Sequence, residues 1–350
     1  MSLLIRDMFV LLRFRELPSN PKPTAPISVV VCAHNELINL QALIPILINQ
    51  TYPNYEIVIA LDRCTDGSLE YLKEVQSDLL KIVEIKEKPN DYSGKKYALT
   101  QAISQASHEW ILLTDADCQP ISSHWIETFG YQMDDQADLI IGVSPYAESK
   151  NLVGQLTSYE TLMTAISYTT STLRGKAYMG VGRNLAYRKS KFLAVQGYHP
   201  FNNVMGGDDD LLVQKLSTAQ NTRLTIHPKS LTYSKPERTW KEYLSQKTRH
   251  LSVGKYYPVI KQISLSLKVL THAVLWLSFL YLLQSSFDPK WFALIFGGVM
   301  IIKGVFLKKM AQKLGMTFSW KWFLFLDFGY ALFLPITGLR ASVVKNIKWN

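Results

Sequence analysis

The sequence predicts an α/β fold with a mostly parallel central sheet, followed by an amphipathic interfacial segment and helices that cross a membrane. Strand and helix patterns alternate over the first 230 residues, which is typical of a parallel sheet. Polar side chains gather after several predicted strands, and three long apolar stretches follow residue 263. A chain of 350 residues is long enough for one large domain and a further region.

Apolar, β-branched runs predict strands that are buried on both faces of the sheet. Such runs lie at 27–33 and 109–117, and further strands are predicted at 55–62 and 81–87. Helical spacing of the apolar residues between them predicts helices at 40–50, 69–79 and 95–106. This order implies parallel strands joined by right-handed crossovers, and ligands bind at the carboxyl ends of such strands.

Carboxylates end two of the predicted strands, Asp62 the second and Asp115 with Asp117 the fourth. In an extended segment, residues i and i+2 point the same way, so Asp115 and Asp117 converge. A Mg²⁺ or Mn²⁺ ion neutralises such a pair and keeps positions open for phosphate oxygens. A turn with two solvated aspartates is the alternative. The lone Gly-x-Gly at 180–182 supports neither a P-loop nor a dinucleotide-binding fold.

The net charge of +10 favours anionic partners, which are nucleic acid, phosphate-bearing small molecules or an anionic membrane. Cys32, Cys64 and Cys118 lie far apart and lack metal-ligand spacing. They are interpreted as reduced thiols of a cytoplasmic domain and not as a disulfide framework.

Three apolar stretches at 269–283, 291–307 and 322–339 approach the ~20 residues that a membrane-crossing helix needs. Each carries one awkward polar position: Lys268 or His272, then Lys303, then Asp327. The lysine-rich loop at 308–321 marks the cytoplasmic side, which also places the N-terminal domain there. Three full spans would leave the basic tail outside, so the third stretch, with Pro335, is the candidate for a re-entrant segment.

Two amphipathic segments complete the predicted organisation. Residues 1–26 contain a basic amphipathic helix that either lies on a membrane surface or packs against the rest of the chain. Residues 235–262 are basic and interleaved with aromatic side chains, which suits a headgroup interface. The apolar stretches nearby favour a membrane over nucleic acid. The predicted domains are therefore 1–26, 27–234, 235–262 and 263–350, the last with two to three transmembrane helices.

From about residue 27 to residue 250 the chain resembles the membrane-attached family 2 glycosyltransferases of the GT-A fold. The resemblance rests on seven motifs in order: "ISVVVCAHNE" (27–36), "LDRCTDGS" (61–68), "SGKKYALTQAI" (93–103), "LLTDADCQP" (112–120), "GVGRNLAYRKSKFLAVQGYHP" (180–200), "GGDDDLLVQKL" (206–216) and "QKTRH" (246–250). The order of a catalytic domain, an interfacial segment and C-terminal spans resembles the branch of ceramide and related lipid glucosyltransferases.

The resemblance implies a nucleotide-sugar donor, usually a UDP-sugar, and inversion at the anomeric carbon. It places the nucleoside at Asp62 and at the turn that contains Ala33, Asn35 and Glu36, and the diphosphate near Lys95. Asp115 would sit by the ribose and the metal, and Asp117 would ligate that Mn²⁺ or Mg²⁺ ion. The alternatives are that Lys95 is a surface lysine at a helix start and that Glu36 merely packs there.

The same resemblance makes Asp208 the general base and places Gln246 and Arg249 at the leaving diphosphate. Asp209 is expected to be solvated and dispensable, and Asp210 to cap a helix that begins "LLVQKL". Two residues depart from the family pattern. Gly207 replaces a glutamate, and His250 replaces a tryptophan that is typical of processive polymer synthesis.

The loss of that tryptophan favours the transfer of one sugar to a hydroxyl of a lipid or other apolar acceptor, by an integral membrane protein whose catalytic domain faces the cytoplasm. A polyprenyl-phosphate glycosyltransferase, a processive polysaccharide synthase and a non-enzymatic sensor are the alternatives.

Overall fold

The predicted alternation of strands and helices is present in the computed structural model, which describes residues 2–16 and 23–343. The strands are β1 Ile27–Ala33, β2 Tyr55–Asp62, β3 Leu80–Ile85, β4 Trp110–Asp115, β5 Cys118–Pro120, β6 Leu139–Ile141, β7 Leu185–Arg188, β8 Thr222–Leu224 and β9 Thr232–Ser234. The helices are α1 Ser2–Arg13, α2 Leu37–Ile48, α3 Ser68–Glu74, α4 Gly94–Gln105, α5 Trp125–Gly130, α6 Leu152–Leu173, α7 Lys189–Ala194, α8 Asp210–Leu216, α9 Trp240–Ser252, α10 Val259–Gln284, α11 Pro289–Lys313 and α12 Phe323–Val343.

A seven-stranded sheet with the order β3-β2-β1-β4-β7-β6-β8 forms the centre of the N-terminal fold. The four strands β3, β2, β1 and β4 are parallel to their neighbours, whereas β7 runs antiparallel to β4 and β6. Every residue of β1 is buried, because its apolar side chains pack on both faces of the sheet. The α/β prediction with a mostly parallel sheet is therefore confirmed.

The strand register brings the predicted site residues to one edge of the sheet. Cys32 of β1 pairs with Asp115 of β4, and Ala33 pairs with Leu61 of β2. The three parallel strands β2, β1 and β4 therefore end side by side, with neighbouring strands about 4.8 Å apart. The loops that follow them line a common crevice at the carboxyl edge.

Several predicted boundaries differ from the structure: the helix predicted at 40–50 is Leu37–Ile48, and the strand predicted at 81–87 is Leu80–Ile85. The helix expected at 69–79 ends at Glu74, and Val75 is extended, since Ser77 and Asp78 compete with helical hydrogen bonding. The strand expected at 109–117 ends at Asp115, and residues 116 and 117 form a turn before β5.

The chain divides into two compact units. One consists of residues 14–147 and 167–235 and contains the sheet. The other consists of residues 1–13, 148–166 and 236–350, as far as these are described, and contains α10, α11 and α12. These three helices are long and apolar enough to cross a membrane. The third continues through Pro335 without a break.

The N-terminal helix α1 packs against α11 in the second unit. Leu11 of α1 is fully buried, and Asp7 lies 3.7 Å from Lys268 of α10. Of the two alternatives for this segment, packing against the chain is the one observed for α1. Residues 17–22 of the predicted 1–26 segment, and residues 344–350 of the basic tail, lie outside the described residues.

The polar residues of the three apolar stretches contact one another, and they are His272, Lys303 and Asp327. Asp327 of α12 is fully buried, and its carboxylate lies 2.7 Å from Lys303 Nζ of α11. Trp276 Nε1 of α10 donates to Asp327 Oδ2 at 2.9 Å, and His272 Nε2 lies 3.4 Å from the same oxygen. Tyr159 of α6 donates to Asp327 Oδ1. These five residues are called the membrane-helix cluster below.

Candidate active site

Lys95, in the first turn of α4, bridges two carboxylates that are far apart in the sequence. Its Nζ lies 2.9 Å from Asp115 Oδ1 and 3.1 Å from Asp208 Oδ2. Burial lowers the pKa of Lys95, but the charges of Asp115 and Asp208 outweigh burial and raise the pKa well above its usual value. Lys95 therefore stays charged, and it is part of this cluster instead of a solvated lysine at a helix start.

The metal-site prediction falls on a compact group of potential ligands. One ligand atom each of Asp115, Asp117 and Cys118 lies within 4.8 Å of the other two. Asp115 and Asp117 meet across the turn at 116–117, so the extended geometry from which their convergence was predicted is wrong. The Asp117 carboxylate reaches solvent, but desolvation by the protein around it, followed by the charge of Asp115, raises its pKa.

This donor set fits a hard divalent cation. Burial and the two neighbouring aspartates raise the pKa of the Cys118 thiol well above its usual value. Cys118 Sγ donates to Asp117 Oδ1 at 3.4 Å, and a sulfur ligand is soft, which suits Mn²⁺ or Mg²⁺ poorly. Two carboxylates remain, of which Asp117 is exposed, and such oxygen donors suit Mn²⁺ or Mg²⁺ with positions left for phosphate.

Residues 208–210 form an aspartate triplet, and the hydrogen bonds of Asp209 and Asp210 differ from those predicted. α8 begins at Asp210, and its N-cap is Asp209, whose Oδ1 accepts from the Asp210 backbone N–H at 2.8 Å. Asp209 Oδ2 also accepts from Gly182 N–H at 3.0 Å. Burial and the charge of Asp208 raise the pKa of Asp209 to about 6. The expectation of a solvated Asp209 and of Asp210 as the cap is therefore wrong, whereas the dispensability of Asp209 stays a prediction.

Asp208 is the member of the triplet that faces Lys95. Burial raises the pKa of its carboxyl, but Lys95 and Lys96 outweigh burial and lower it below the usual value. Asp208 is therefore ionised at neutral pH, as a general base must be before it accepts a proton. Gly206 and Gly207 precede it with φ of +81° and +73°, and glycine adopts this left-handed conformation without steric cost.

Lys96 holds the loop that leads to the triplet, and the sequence analysis missed it. It is fully buried, and its Nζ donates to the carbonyls of Phe201 at 2.8 Å and Val204 at 2.6 Å. Burial lowers the pKa of Lys96 to about 8. The signal in the sequence is the second lysine of "SGKK", which occupies a variable position of the motif.

The predicted nucleoside site lies where β1 and β2 end. Asn35 has a φ of +56°, and its Oδ1 accepts from Thr65 N–H at 2.8 Å. The Ala33 carbonyl accepts from the Cys64 thiol at 3.5 Å. Asp62 is fully buried and forms a two-point ion pair with its neighbour Arg63. The two strand-end loops are therefore tied together before any ligand binds.

Glu36 and Asp66 have distinct parts at the start of α2. Asp66 Oδ2 accepts from the Leu37 backbone N–H at 2.8 Å, and its Oδ1 accepts from Ser68. These contacts give Asp66 a turn-forming role. Glu36 accepts from Asn39 at 2.6 Å, while burial, with the charges of Asp117 and Asp115, raises its pKa. Glu36 thus belongs to the same electrostatic cluster as the aspartate pair.

Arg183 follows Gly182 in the "GVGRN" motif and contributes a second cation that the sequence analysis did not single out. Its Nε donates to Ser144 Oγ at 2.7 Å, and its guanidinium lies 4.9 Å from the centre of the Tyr146 ring. The next residue, Asn184, is fully buried and bonds to Val143, Ser230 and Trp125, so its part is structural.

Gln246 and Arg249 lie on α9, in the unit that contains the apolar helices. Gln246 Nε2 donates to Glu237 Oε1 at 2.8 Å, and the capping box of Thr239 and Glu242 fixes the start of the helix. Lys247, about two turns after the start of α9, lies 3.3 Å from the buried Glu160. The contact of Gln246 and Arg249 with a diphosphate stays a prediction.

Taken together, one edge of the sheet presents a carboxylate pair for a cation, a lysine beside it and an ionised aspartate on the other side of that lysine. Such a site can bind an anionic leaving group through the cation and the lysine, and can accept a proton from a nucleophile.

Comparison with known proteins gives the following findings. Residues 28–195 match the family model described as glycosyl transferase family 2. A probable glycosyltransferase, YdaM of Bacillus subtilis, is 22% identical over 93% of this chain and 76% of its own length. A poly(ribitol-phosphate) beta-glucosyltransferase of Bacillus spizizenii is 29% identical, but over 33% of this chain and 18% of its own length.

Among solved structures, the mannosyltransferase PcManGT from Pyrobaculum calidifontis, in complex with GDP-Man and Mn²⁺, superposes with a TM-score of 0.59. The alignment covers 99% of this chain and 93% of that protein, at 16% sequence identity. At this identity the likeness establishes the fold.

Proposed function

We propose that the chain, whose residues 28–195 match the glycosyl transferase family 2 model and whose fold is GT-A, transfers one sugar, with inversion, from a nucleotide sugar to a hydroxyl group of a lipid or other apolar acceptor at a membrane. The donor is a UDP-sugar in this proposal. The observation that carries it is the position of Lys95 between Asp115 and Asp208, which joins the proposed donor site to the proposed base.

Lys95 links donor binding to base strength in this mechanism. A diphosphate bound near Asp115 gives Lys95 a further anionic partner and weakens its hold on Asp208. The pKa of Asp208 then rises towards the range in which a carboxylate accepts a proton efficiently. Asp208 removes the acceptor proton as the hydroxyl oxygen attacks the anomeric carbon, and the nucleoside diphosphate leaves from the opposite face.

Asp115 and Asp117 would hold the divalent cation, which when bound neutralises charge on the departing diphosphate. The mannosyltransferase with the similar fold was solved with a nucleotide sugar and Mn²⁺, and the same two ligand classes are proposed here. Gln246 and Arg249 would approach the diphosphate from α9. Asp62, Ala33, Asn35 and Glu36 would line the nucleoside site.

The proposed acceptor is apolar because three helices of the chain are long and apolar enough to cross a membrane. Four lysines, at 308, 309, 313 and 321, lie at the C-terminal end of α11 and just before α12. This charge supports an integral membrane protein with a cytoplasmic catalytic domain. Nucleic acid is not a proposed partner.

The test incubates membranes that carry the protein with radiolabelled UDP- and GDP-sugars in Mn²⁺ and then extracts the lipids. We expect label from one donor in the lipid fraction, with transfer lost in EDTA and restored by Mn²⁺. Membranes with Asp208→Asn protein are the control. Label that accumulates only in insoluble polymer would contradict single transfer, and transfer at full rate in EDTA would contradict the metal site.

A phosphate-bearing acceptor is the second candidate, in the manner of a polyprenyl-phosphate glycosyltransferase. The net charge of +10 favours it, as does the partial likeness to a glucosyltransferase that acts on poly(ribitol-phosphate). A phosphate nucleophile is already ionised and needs little base catalysis. Asp208→Asn protein that retains most of its transfer activity would therefore favour this candidate over a hydroxyl acceptor.

A further inference from the structure

Arg183 is a cation at the carboxyl edge of the sheet, and the proposed mechanism gives it no part. It belongs to the 3₁₀ helix Gly182–Asn184, which leads into β7. Because Leu185 pairs with Leu113 of the antiparallel β4, this short helix lies beside the end of β4 and contacts it. The strands β1 and β2, where the nucleoside is proposed, lie on the other side of β4. Arg183 is therefore on the side of the site away from the nucleoside.

The backbone at Gly182 brings the same short helix against the aspartate triplet. Its N–H donates to Asp209 Oδ2 at 3.0 Å. A Cβ atom on Gly182 would lie 3.6 Å from Asp208 Oδ2, which is van der Waals distance. An acceptor hydroxyl that gives its proton to Asp208 must lie within hydrogen-bond reach of this carboxylate. Arg183 therefore neighbours the place where the acceptor is proposed to bind.

Arg183 is held in a socket of neutral groups. Its Nε and Nη2 donate to Ser144 Oγ at 2.7 Å and to the Ser144 carbonyl at 3.0 Å, and its guanidinium lies 4.9 Å from the centre of the Tyr146 ring. Both of these residues are buried, and Ser144 Oγ in turn donates to the Thr232 carbonyl at 2.7 Å. The socket orients the guanidinium before a ligand binds, which reduces the entropy cost of binding.

The socket leaves one edge of the guanidinium and its charge without a partner. Ser144 takes the Nε–H and one N–H of Nη2 out of the five N–H groups of an arginine. Among residues 2–16 and 23–343, no carboxylate lies within 4.0 Å of an Arg183 nitrogen. The side chain is only partly exposed, and an uncompensated charge in such a place is costly. The remaining edge carries N–H groups of Nη1 and Nη2 side by side, which match two oxygens of a phosphate.

The aspartate pair acts on Arg183 from a distance and does not supply the missing partner. Desolvation and then Asp115 raise the pKa of Asp117, whereas the charge of Arg183 lowers it by less. In the proposed function Asp115 and Asp117 hold a divalent cation, which compensates their charge. The anion that pairs with Arg183 must then come from a substrate.

We propose that Arg183 binds a phosphate group of the acceptor while the acceptor hydroxyl faces Asp208. The acceptor is then an anionic lipid and not a neutral one, which suits a chain with a net charge of +10. Arg183 is a specificity-determining residue in this scheme, because its fork distinguishes a phosphate-bearing hydroxyl compound from an uncharged one. The inference rests on the proposed function and deepens it by naming the acceptor class.

The experiment measures binding to the detergent-solubilised full chain by titration calorimetry, with UDP or GDP and Mn²⁺ already present. The probes are glycerol 1-phosphate and glycerol, which share hydroxyl groups and differ by the phosphate. We expect the wild type to bind glycerol 1-phosphate at least about tenfold more tightly than glycerol. Arg183→Gln should reduce this ratio to about twofold and leave the affinity for the nucleotide and the thermal midpoint near wild-type values.

Two further variants keep the test decisive if Arg183→Gln folds poorly. Arg183→Lys keeps the charge but not the fork, and it should lose most of the preference for glycerol 1-phosphate. Arg223→Gln is the matched control, because it removes an arginine of the same unit that pairs with Asp134. Its ratio should equal that of the wild type.

Three results would overturn the inference alone. The first is a wild type that binds the two glycerol probes equally, or Arg183 variants that keep the full preference. The second is a loss of nucleotide affinity in Arg183→Gln as large as its loss of glycerol 1-phosphate affinity, which would assign Arg183 to the donor diphosphate. The third is a preference for UDP-glucuronate over UDP-glucose that Arg183→Gln abolishes, which would assign it to a donor carboxylate. Failure of both UDP and GDP to bind the wild type would overturn the proposed function as well.

Discussion

Two clusters in this chain combine carboxylates with lysine, and they differ in how completely their hydrogen bonds are satisfied. In the sheet unit, Lys95 is shared between Asp115 and Asp208, and Asp117 and Asp209 add further negative charge nearby. In the membrane-helix cluster, one carboxylate, Asp327, is surrounded by Lys303, His272, Trp276 and Tyr159. The first cluster has an excess of acceptors, whereas the second has an excess of donors.

Exposure separates the two clusters in the same way. The side chains of Lys95 and Asp115 are 24% and 30% exposed, whereas those of Lys303 and Asp327 are 7% and 0% exposed. A closed, fully bonded group stabilises one arrangement of its helices and has no capacity left for a ligand. An open group with surplus negative charge can still bind a cation and react. Residue type alone therefore does not distinguish a reactive cluster from a structural one.

Removing the proposed base from the open cluster should give the largest effect. Asp208→Asn should lower the turnover rate by about 10²- to 10⁴-fold, because the acceptor proton then has no base. Binding of the nucleoside diphosphate and the thermal midpoint should stay near wild-type values, since Lys95 keeps Asp115. Asp135→Asn, which alters an exposed carboxylate of the same unit, should be fully active. A turnover rate within twofold of the wild type would show that Asp208 is not the base.

Breaking the closed cluster should affect stability instead. Lys303→Met leaves the Asp327 carboxylate buried without its cation, so unfolding in detergent should need about 3–5 kcal/mol less free energy. Adding Asp327→Asn removes the uncompensated charge, and the double variant should recover part of that loss. Urea unfolding followed by tryptophan fluorescence measures both. Lost activity with unchanged stability would move this cluster from a structural to a functional role.

How far the sequence predicted these clusters depends on whether their contacts are local. The strands β1, β2 and β4 were predicted because each is a continuous apolar run with a polar end, and that pattern needs no tertiary information. Lys95, Asp115 and Asp208 were found through motifs. Lys303 and Asp327 were both seen as awkward groups, but their pairing depends on helix packing, which a linear pattern does not encode.

The site residues that were missed or wrongly predicted also depend on tertiary contacts. Lys96 bonds to carbonyls more than a hundred residues away, so only the fold reveals it. Asp209 was expected to be solvated, yet the N–H groups of Gly182 and Asp210 donate to its carboxylate. Arg63, whose backbone is left-handed, pairs with the residue beside it. That conformation has no signature in "LDRC".

Lys95 is partly exposed and belongs to the open cluster, whereas the adjacent Lys96 is fully buried and hydrogen-bonded like a member of the closed cluster. Lys95→Met should weaken donor binding, since Lys95 would lie beside the proposed diphosphate site. Lys96→Met should leave the donor KM unchanged and lower kcat by about 10- to 100-fold, because the loop that carries Asp208 loses its anchor and the base is displaced. Initial rates at varied donor concentration separate the two. An equal rise in donor KM for both variants would contradict the distinction.

The smallest effect concerns Asp209, which belongs to the open cluster but is bonded like a member of the closed one. Its pKa is raised to about 6 in the folded protein from a usual value of 3.8. Between about pH 4 and pH 6 the folded state therefore keeps a proton that the unfolded state has lost, and the free energy of unfolding falls as the pH rises.

Asp209→Asn removes this titration and keeps an oxygen that can accept from the Asp210 N–H. The wild type should therefore lose stability relative to the variant as the pH rises from 4 to 7, by about 1 kcal/mol once partial exposure is allowed for. Thermal midpoints of both proteins at pH 4, 5, 6 and 7 measure the difference. A constant difference across this range would mean that Asp209 is ionised throughout, as a solvated carboxylate would be.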